Sequence, residues 1–196
     1  MATRRETRGF RRAAHMPSPG ICYNTPDMNG NMKTTLKAFP VITALTIGLC
    51  YLTQTVAGLV GIELPDQANL DLVRKYIGWN KTFILLCAQI LFVMPAAEEL
   101  VFRWLAFMLP ARIAARRAPS SLHVLRVSLC ILSSALFSAA HYIAQPWPDA
   151  AFIALFFFGL AQCWLYRKTD SIWCPMLNHF LFNLTNLVLM FLLPQQ

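Results

Sequence analysis

Five apolar runs divide the chain, over about 38–60, 82–109, 127–144, 150–166 and 172–193. About 20 apolar residues in a helix cover a hydrocarbon core of roughly 30 Å, so the runs read as membrane-crossing helices. No repeat of about 20–50 residues recurs, and the period-2 alternation of a membrane barrel is absent. The pattern predicts an all-α fold: a polytopic transmembrane helix bundle of about five spans.

The residues between the runs set the orientation. Lys33 and Lys37 precede the first run, Arg112, Arg116, Arg117 and Arg126 separate the second from the third, and Arg167-Lys168 ends the fourth. The opposite ends carry a neutral segment, 61–81, and a turn, Gln145-Pro-Trp-Pro-Asp149. Basic residues favour the cytoplasmic side, which puts the N-terminus inside and the C-terminus outside. Residues 1–31 hold five arginines (Arg4, Arg5, Arg8, Arg11, Arg12) and three prolines without apolar periodicity. They read as a disordered basic N-terminal tail ahead of a membrane domain over 32–196. The arginines lie too far from the first run to be the n-region of a signal peptide, and Met32 reads as a natural start just before the first span.

Composition agrees. The chain is 57% hydrophobic and 13% charged, far from the balance of a soluble domain. Its net charge of +8 sits in the tail and between apolar runs, which fits a bilayer as partner and excludes nucleic acid. Six cysteines (Cys22, Cys50, Cys87, Cys130, Cys163, Cys174) show no Cys-x-x-Cys spacing and read as small apolar residues.

Against this background one stretch of the second run stands out: Met94-Pro-Ala-Ala-Glu-Glu-Leu-Val-Phe-Arg103. An ionised side chain near the bilayer centre costs roughly 2.5–3.5 kcal/mol on insertion scales, so such groups imply a partner or a use. Glu99 and Arg103, four apart, can neutralise each other as a structural pair. Glu98 points about 100° away and has no base on its own helical face. Pro95, one turn earlier, predicts a kink beside it. The third run carries Ser134, Ser138 and His141 on one face, with Phe137 one turn before His141, and these span limits put His141 nearer the outer side. The fourth run reads as the most apolar and as a packing helix. The fifth has a polar stripe of His179, Asn183 and Asn186. Ser134, Asn178, Thr185 and Asn186 read as interhelical glue.

A free carboxylate and two histidines on three spans suit water-mediated amide hydrolysis. A carboxylate taken out of water binds a proton more readily, so Glu98 is the candidate general base. His141 can hold or relay the proton of the same water. His179 and Asn183, a turn apart, can both donate to one developing oxyanion. No covalent nucleophile is needed.

Glu98-Glu99-x-x-x-Arg103, Phe137-x-x-x-His141 and His179-x-x-x-Asn183, in that order, resemble the three signature motifs of the CPBP family. This group includes type II CAAX prenyl endopeptidases and bacteriocin-processing or immunity proteins, also called the Abi group. The resemblance covers about 82–193. It implies a helical intramembrane endopeptidase in which Glu98 activates water, His141 assists, His179 and Asn183 bind the oxyanion, and Glu99 and Arg103 hold the structure. The implied substrate is a membrane-associated protein or peptide, lipidated or carrying a C-terminal sorting segment. The expected location is the plasma (inner) membrane of a prokaryote.

Three other readings compete. Glu98, His141 and His179 have the residue types of a zinc site that would activate the water, although no His-Glu-x-x-His helix is present. A proton or solute pathway also uses Glu and His, but would spread them across the membrane's depth. A non-catalytic immunity or binding protein could retain the fold, against which stands the full set of catalytic residue types.

Overall fold

The computed structural model describes residues 27–65, 73, 75–77, 80–117, 122–143 and 149–192. Helices dominate them and no strand occurs among them. Five long helices follow in order: α1 (Met28–Leu59), α2 (continuous over 81–117), α3 (Leu122–Ala140), α4 (Ala151–Thr169) and α5 (Trp173–Leu192). Of these, α1, α2, α3 and α5 are long and apolar enough to cross a membrane. The protein is an all-α polytopic bundle and an integral membrane protein.

The fourth run departs from expectation. It forms α4, but over a membrane-spanning length α4 is less apolar than the most apolar stretch of each of the other four helices, because Gln162 and the polar end Tyr166-Arg167-Lys168 dilute its apolar half. Its role is internal. It packs against all four other helices, and Ala154, Phe158, Gly159, Gln162, Cys163, Leu165 and Tyr166 are buried along it. Gly159 permits the closest approach. A Cβ there would lie 2.9 Å from Ser134 Cβ and 3.0 Å from its Cα, so α3 and α4 touch nearly backbone to backbone. Serines supply the bonds between helices: Ser133 Oγ donates to the Phe102 carbonyl at 2.6 Å and Ser138 Oγ to that of Phe152 at 2.7 Å. Gln162 Oε1 accepts from Asn178 Nδ2 at 3.1 Å, and Gln162 Nε2 donates to Pro175 O at 3.1 Å, so α4 and α5 share a buried amide bridge. The interhelical-glue reading holds for Asn178, which bonds Gln162 on α4, but Ser134 and Thr185 donate to carbonyls one turn back in their own helices, because a hydroxyl on a short side chain reaches its own i−4 carbonyl before a neighbouring helix.

Helix limits differ from the apolar runs because hydropathy marks membrane exposure, whereas backbone hydrogen bonding continues past it. Helix α1 begins at Met28, and most of the stretch read as a basic tail, 1–26, lies outside the described residues, as does Cys22. Arg112, Arg116 and Arg117 belong to the last turns of α2 and Arg126 to the first turns of α3, rather than to a basic loop. Arg112 Nη2 meets Asp170 Oδ1 at 2.6 Å. Asn31 Nδ2 donates to Thr169 O at 3.0 Å, so the start of α1 and the end of α4 lie together. One end of the bundle therefore carries Lys33, Arg112, Arg167 and Lys168. Residues 66–72 of the neutral segment and 144–148 of the tryptophan turn lie outside the described residues. The other five cysteines are free thiols.

Helix α2 holds the main surprise of the backbone. Asn80 caps its start, Oδ1 accepting from Phe83 N at 2.9 Å. The helix then alternates: α-helical over Lys81–Ala88, π-helical over Gln89–Val93, α-helical over Met94–Glu98, π-helical over Glu99–Met108 and α-helical over Leu109–Arg117. In a π-helix each N–H reaches five residues back rather than four, so a turn holds more residues. The sequence shows why this suits it. Pro95, Glu99, Arg103, Phe107 and Ala111 recur every fourth residue and all are buried. In an unbroken α-helix a spacing of four drifts about 40° per step, which would carry this stripe off the core face within a few turns. Wider turns keep it in line.

Candidate active site

Three helices deliver the acid and base residues to one place. Glu98 ends the short α-helical segment between the two π segments of α2, His141 follows the last turn of α3, and His179 lies in the second turn of α5. His141 Nε2 is 4.0 Å from Glu98 Oε1, and His179 Nε2 is 3.5 Å from Glu98 Oε2. Glu98 thus sits between the two imidazoles. The expected offset of His141 towards the outer side does not separate it from Glu98. Helix α3 begins at Leu122, five residues before the third apolar run, and ends at Ala140, which leaves His141 on the turn that faces α2.

His179 also reaches the second carboxylate, since its Nδ1 lies 3.0 Å from Glu99 Oε1. The clean division into a structural Glu99 and an isolated Glu98 therefore needs revision: one imidazole bridges both. Glu99 Oε2 is 3.2 Å from Arg103 Nε, and both side chains are fully buried. That contact is an ion pair without hydrogen-bond alignment, and Arg103 Nη1 and Nη2 have no hydrogen-bond partner among the described residues. The guanidinium instead lies over the Phe137 ring, 4.4 Å from its centroid, a cation–π contact in a dry setting. Phe137 stacks edge-on to His141 at 4.7 Å and to His179 at 5.9 Å, and Phe158 contacts His179 at 5.1 Å. These rings join Ile42 and Phe182 in one apolar cluster under the site. Phe158 and Ile42 had no sequence signal, being apolar residues in apolar runs.

Hydrogen bonds fix the tautomers. The Phe137 carbonyl can only accept, so His141 Nδ1, 2.9 Å away, carries the proton and donates. In the neutral ring His141 Nε2 is then a lone pair facing Glu98. Ionised Glu99 likewise accepts from His179 Nδ1–H, and His179 Nε2 faces Glu98 as a lone pair or, with a second proton, as a donor. Exposure falls along the chain of contacts, with side-chain accessibilities of 23% for His141, 17% for Glu98, 5% for His179 and 0% for Glu99. The reactive end faces outward and the charged anchor is dry.

The turn carrying His141 is tied down separately. Tyr142 Oη donates to Asp149 Oδ1 at 2.5 Å, and the same oxygen accepts from Ala151 N at 2.7 Å at the start of α4. Burial, followed by the hydrogen bond to Asp149 and its negative charge, pushes the Tyr142 phenol above its ordinary range. Asn183, one turn after His179, points its amide into α2 and donates from Nδ2 to the Ile90 carbonyl at 2.9 Å. No group of three or more His, Cys, Asp or Glu side chains among the described residues is arranged to hold a metal ion.

A family model described as type II CAAX prenyl endopeptidase Rce1-like matches residues 80–185, more than half of the 196-residue chain. The chain belongs to this Rce1-like family. The match spans all of Glu98, Glu99, Arg103, His141, His179 and Asn183. Helix α1 precedes it. No curated protein and no solved structure matches the chain. As an Rce1-like protein it is, in general terms, an intramembrane endopeptidase of the CAAX type.

Proposed function

We propose that this Rce1-like protein hydrolyses a peptide bond near the C-terminus of a lipidated, membrane-associated protein, using water activated by Glu98. The observation that carries the reading is Glu98 held between the Nε2 atoms of His141 and His179 at 4.0 and 3.5 Å. The His141–Glu98 gap joins two acceptors and is too long for a direct hydrogen bond. It is close to the about 4.5 Å that one water spans with two bonds of about 2.8 Å. A water giving one hydrogen to Glu98 Oε1 and the other to His141 Nε2 turns its lone pairs outward, towards a scissile carbonyl. Glu98 takes the proton as the oxygen attacks and returns it to the departing amine, as a general base and then a general acid.

His179 supplies the opposite charge. A doubly protonated imidazole, its Nδ1–H on Glu99, presents Nε2–H to the oxyanion, and the buried carboxylate compensates the cation. Asn183 uses one amide hydrogen on Ile90 O and keeps the second for the same oxyanion. Arg103 balances Glu99 and touches no substrate. The basic end of the bundle faces the cytoplasm, and the membrane is read as the plasma (inner) membrane of a prokaryote. Substrate specificity for a prenyl-cysteine followed by three residues is the family's implication for this site.

The test compares cells expressing the wild-type chain and Glu98→Gln at equal membrane levels, profiling protein C-termini by mass spectrometry. New termini with wild type alone support the proposal and identify substrates. Identical termini in both overturn it in favour of a binding or immunity protein.

A further inference from the structure

Pro95 and Asn183 lie on different helices and 88 residues apart, yet one carbonyl oxygen links them. At the end of the first π segment of α2, Met94 N–H donates to Gln89 O, five residues back. The next bond in that register would run from residue 95 to Ile90 O. Proline has no N–H, so the π register stops there and Ile90 O loses its backbone donor. Asn183 Nδ2 occupies it at 2.9 Å. Ile90 and this bond are part-buried on a membrane-crossing helix, where water does not reach the backbone, so an unmatched carbonyl there would carry a desolvation penalty. The side chain that fills it sits one turn from His179 on α5, and the carbonyl sits two turns before Glu98 on α2.

We infer that Pro95 is a positioning residue: by removing a backbone donor it creates the acceptor that anchors Asn183 and sets α5 against α2 with His179 facing Glu98. This deepens the proposed hydrolytic site and rests on that reading for its catalytic half only. Held by Ile90 O, the Asn183 amide has a fixed plane, and its second hydrogen points in one direction without ordering cost during the reaction. Replacing Pro95 with alanine restores an N–H. Whether residue 95 then bonds Ile90 O in the π register, or the segment relaxes so that Met94 N–H bonds it in the α register, Ile90 O gains a backbone donor. Asn183 then competes with a backbone donor for that oxygen and is no longer the bond the oxygen depends on.

Two double-mutant cycles on the full-length protein in detergent test this. The first measures thermal unfolding of wild type, Pro95→Ala, Asn183→Ala and the double variant, and needs no substrate. Asn183→Ala is expected to lower the midpoint by roughly 3–8 °C with Pro95 present, as an orphaned carbonyl out of reach of water should, and by no more than about 1 °C in the Pro95→Ala background. Asn183→Leu, which is close in size and has no donor, repeats the cycle should Asn183→Ala accumulate poorly. An equal drop in both backgrounds overturns the inference. The second cycle measures cleavage of a fluorogenic peptide carrying S-farnesyl-cysteine three residues from its C-terminus. Pro95→Ala is expected to lower kcat about tenfold or more with KM within twofold, and to add nothing to Asn183→Ala. Multiplying effects, or a loss confined to KM, would remove the positioning role. A peptide that wild type does not cleave counts against the substrate reading, while the stability cycle still decides the Pro95–Asn183 link.

Discussion

Replacing Arg103 with methionine probes the anchor beneath the site. Methionine keeps the unbranched stem but ends where Nε stood, so the charge and the guanidinium over Phe137 are both removed. Glu99 then remains fully buried with only His179 to compensate it. Breaking a buried ion pair by removing one partner costs about 3–5 kcal/mol, and loss of the cation–π contact adds about 0.5–2 kcal/mol. For a chain of this size about 1 kcal/mol moves the unfolding midpoint by roughly 2–4 °C, so Arg103→Met should melt about 7–28 °C lower. Cys163 and Cys174 are buried free thiols, so a thiol-reactive fluorophore reports unfolding in detergent. Adding Glu99→Gln removes the stranded charge and should recover at least half of the loss. The double variant should still be inactive, because a glutamine no longer favours the imidazolium of His179. A single substitution costing under about 3 °C, or a double variant as unstable as the two losses summed, would refute the charge argument.

Three further outcomes follow from the same structure. Tyr142→Phe should lower the midpoint by a few degrees and slow turnover, because the turn bearing His141 loses its bond to Asp149. The Tyr142 phenol is raised in the folded state, so its contribution is fully present below the unfolded value of about 10 and is lost as pH rises beyond it. The gap between wild type and Tyr142→Phe in a pH series of unfolding curves should stay level to about pH 10 and then narrow. Gly159→Ala forces α3 away from α4 where Ser134 leaves no room and should cost about 1–3 kcal/mol, read as a lowered midpoint. Extensive chelation, with metal content checked by elemental analysis, should leave cleavage unchanged; activity lost with the metal and restored by zinc would favour the zinc reading.

The helices and the reactive residues were legible in the sequence for one reason: in a membrane, polar groups are costly enough to stand out. Glu98, His141 and His179 were conspicuous among Leu, Phe and Ala, and the structure gathers them. What was not legible depends on backbone geometry. The stripe Pro95, Glu99, Arg103, Phe107 was visible as a spacing of four, but an α-helical wheel scattered it and the π segments were missed. Pro95 was read as a kink beside Glu98, and the bond from Asn183 to the Ile90 carbonyl, between residues 93 positions apart, gave no sign in the sequence. The bridging of both glutamates by His179 was hidden for a similar reason, since ring nitrogens act in two directions and sequence spacing gives one. Helix α4 was read as the most apolar span because its first half is; Gln162 marks it instead as the helix the others surround.

The central claim, that Glu98 is the base, is tested most directly with purified protein and the S-farnesyl peptide. Wild type and Glu98→Gln are compared at matched unfolding midpoints, which separates chemistry from folding. The account predicts a fall in kcat of roughly 10²–10⁴-fold for the variant, the range for loss of a positioned general base, with substrate binding retained. A folded Glu98→Gln protein that cleaves within tenfold of wild type would contradict it.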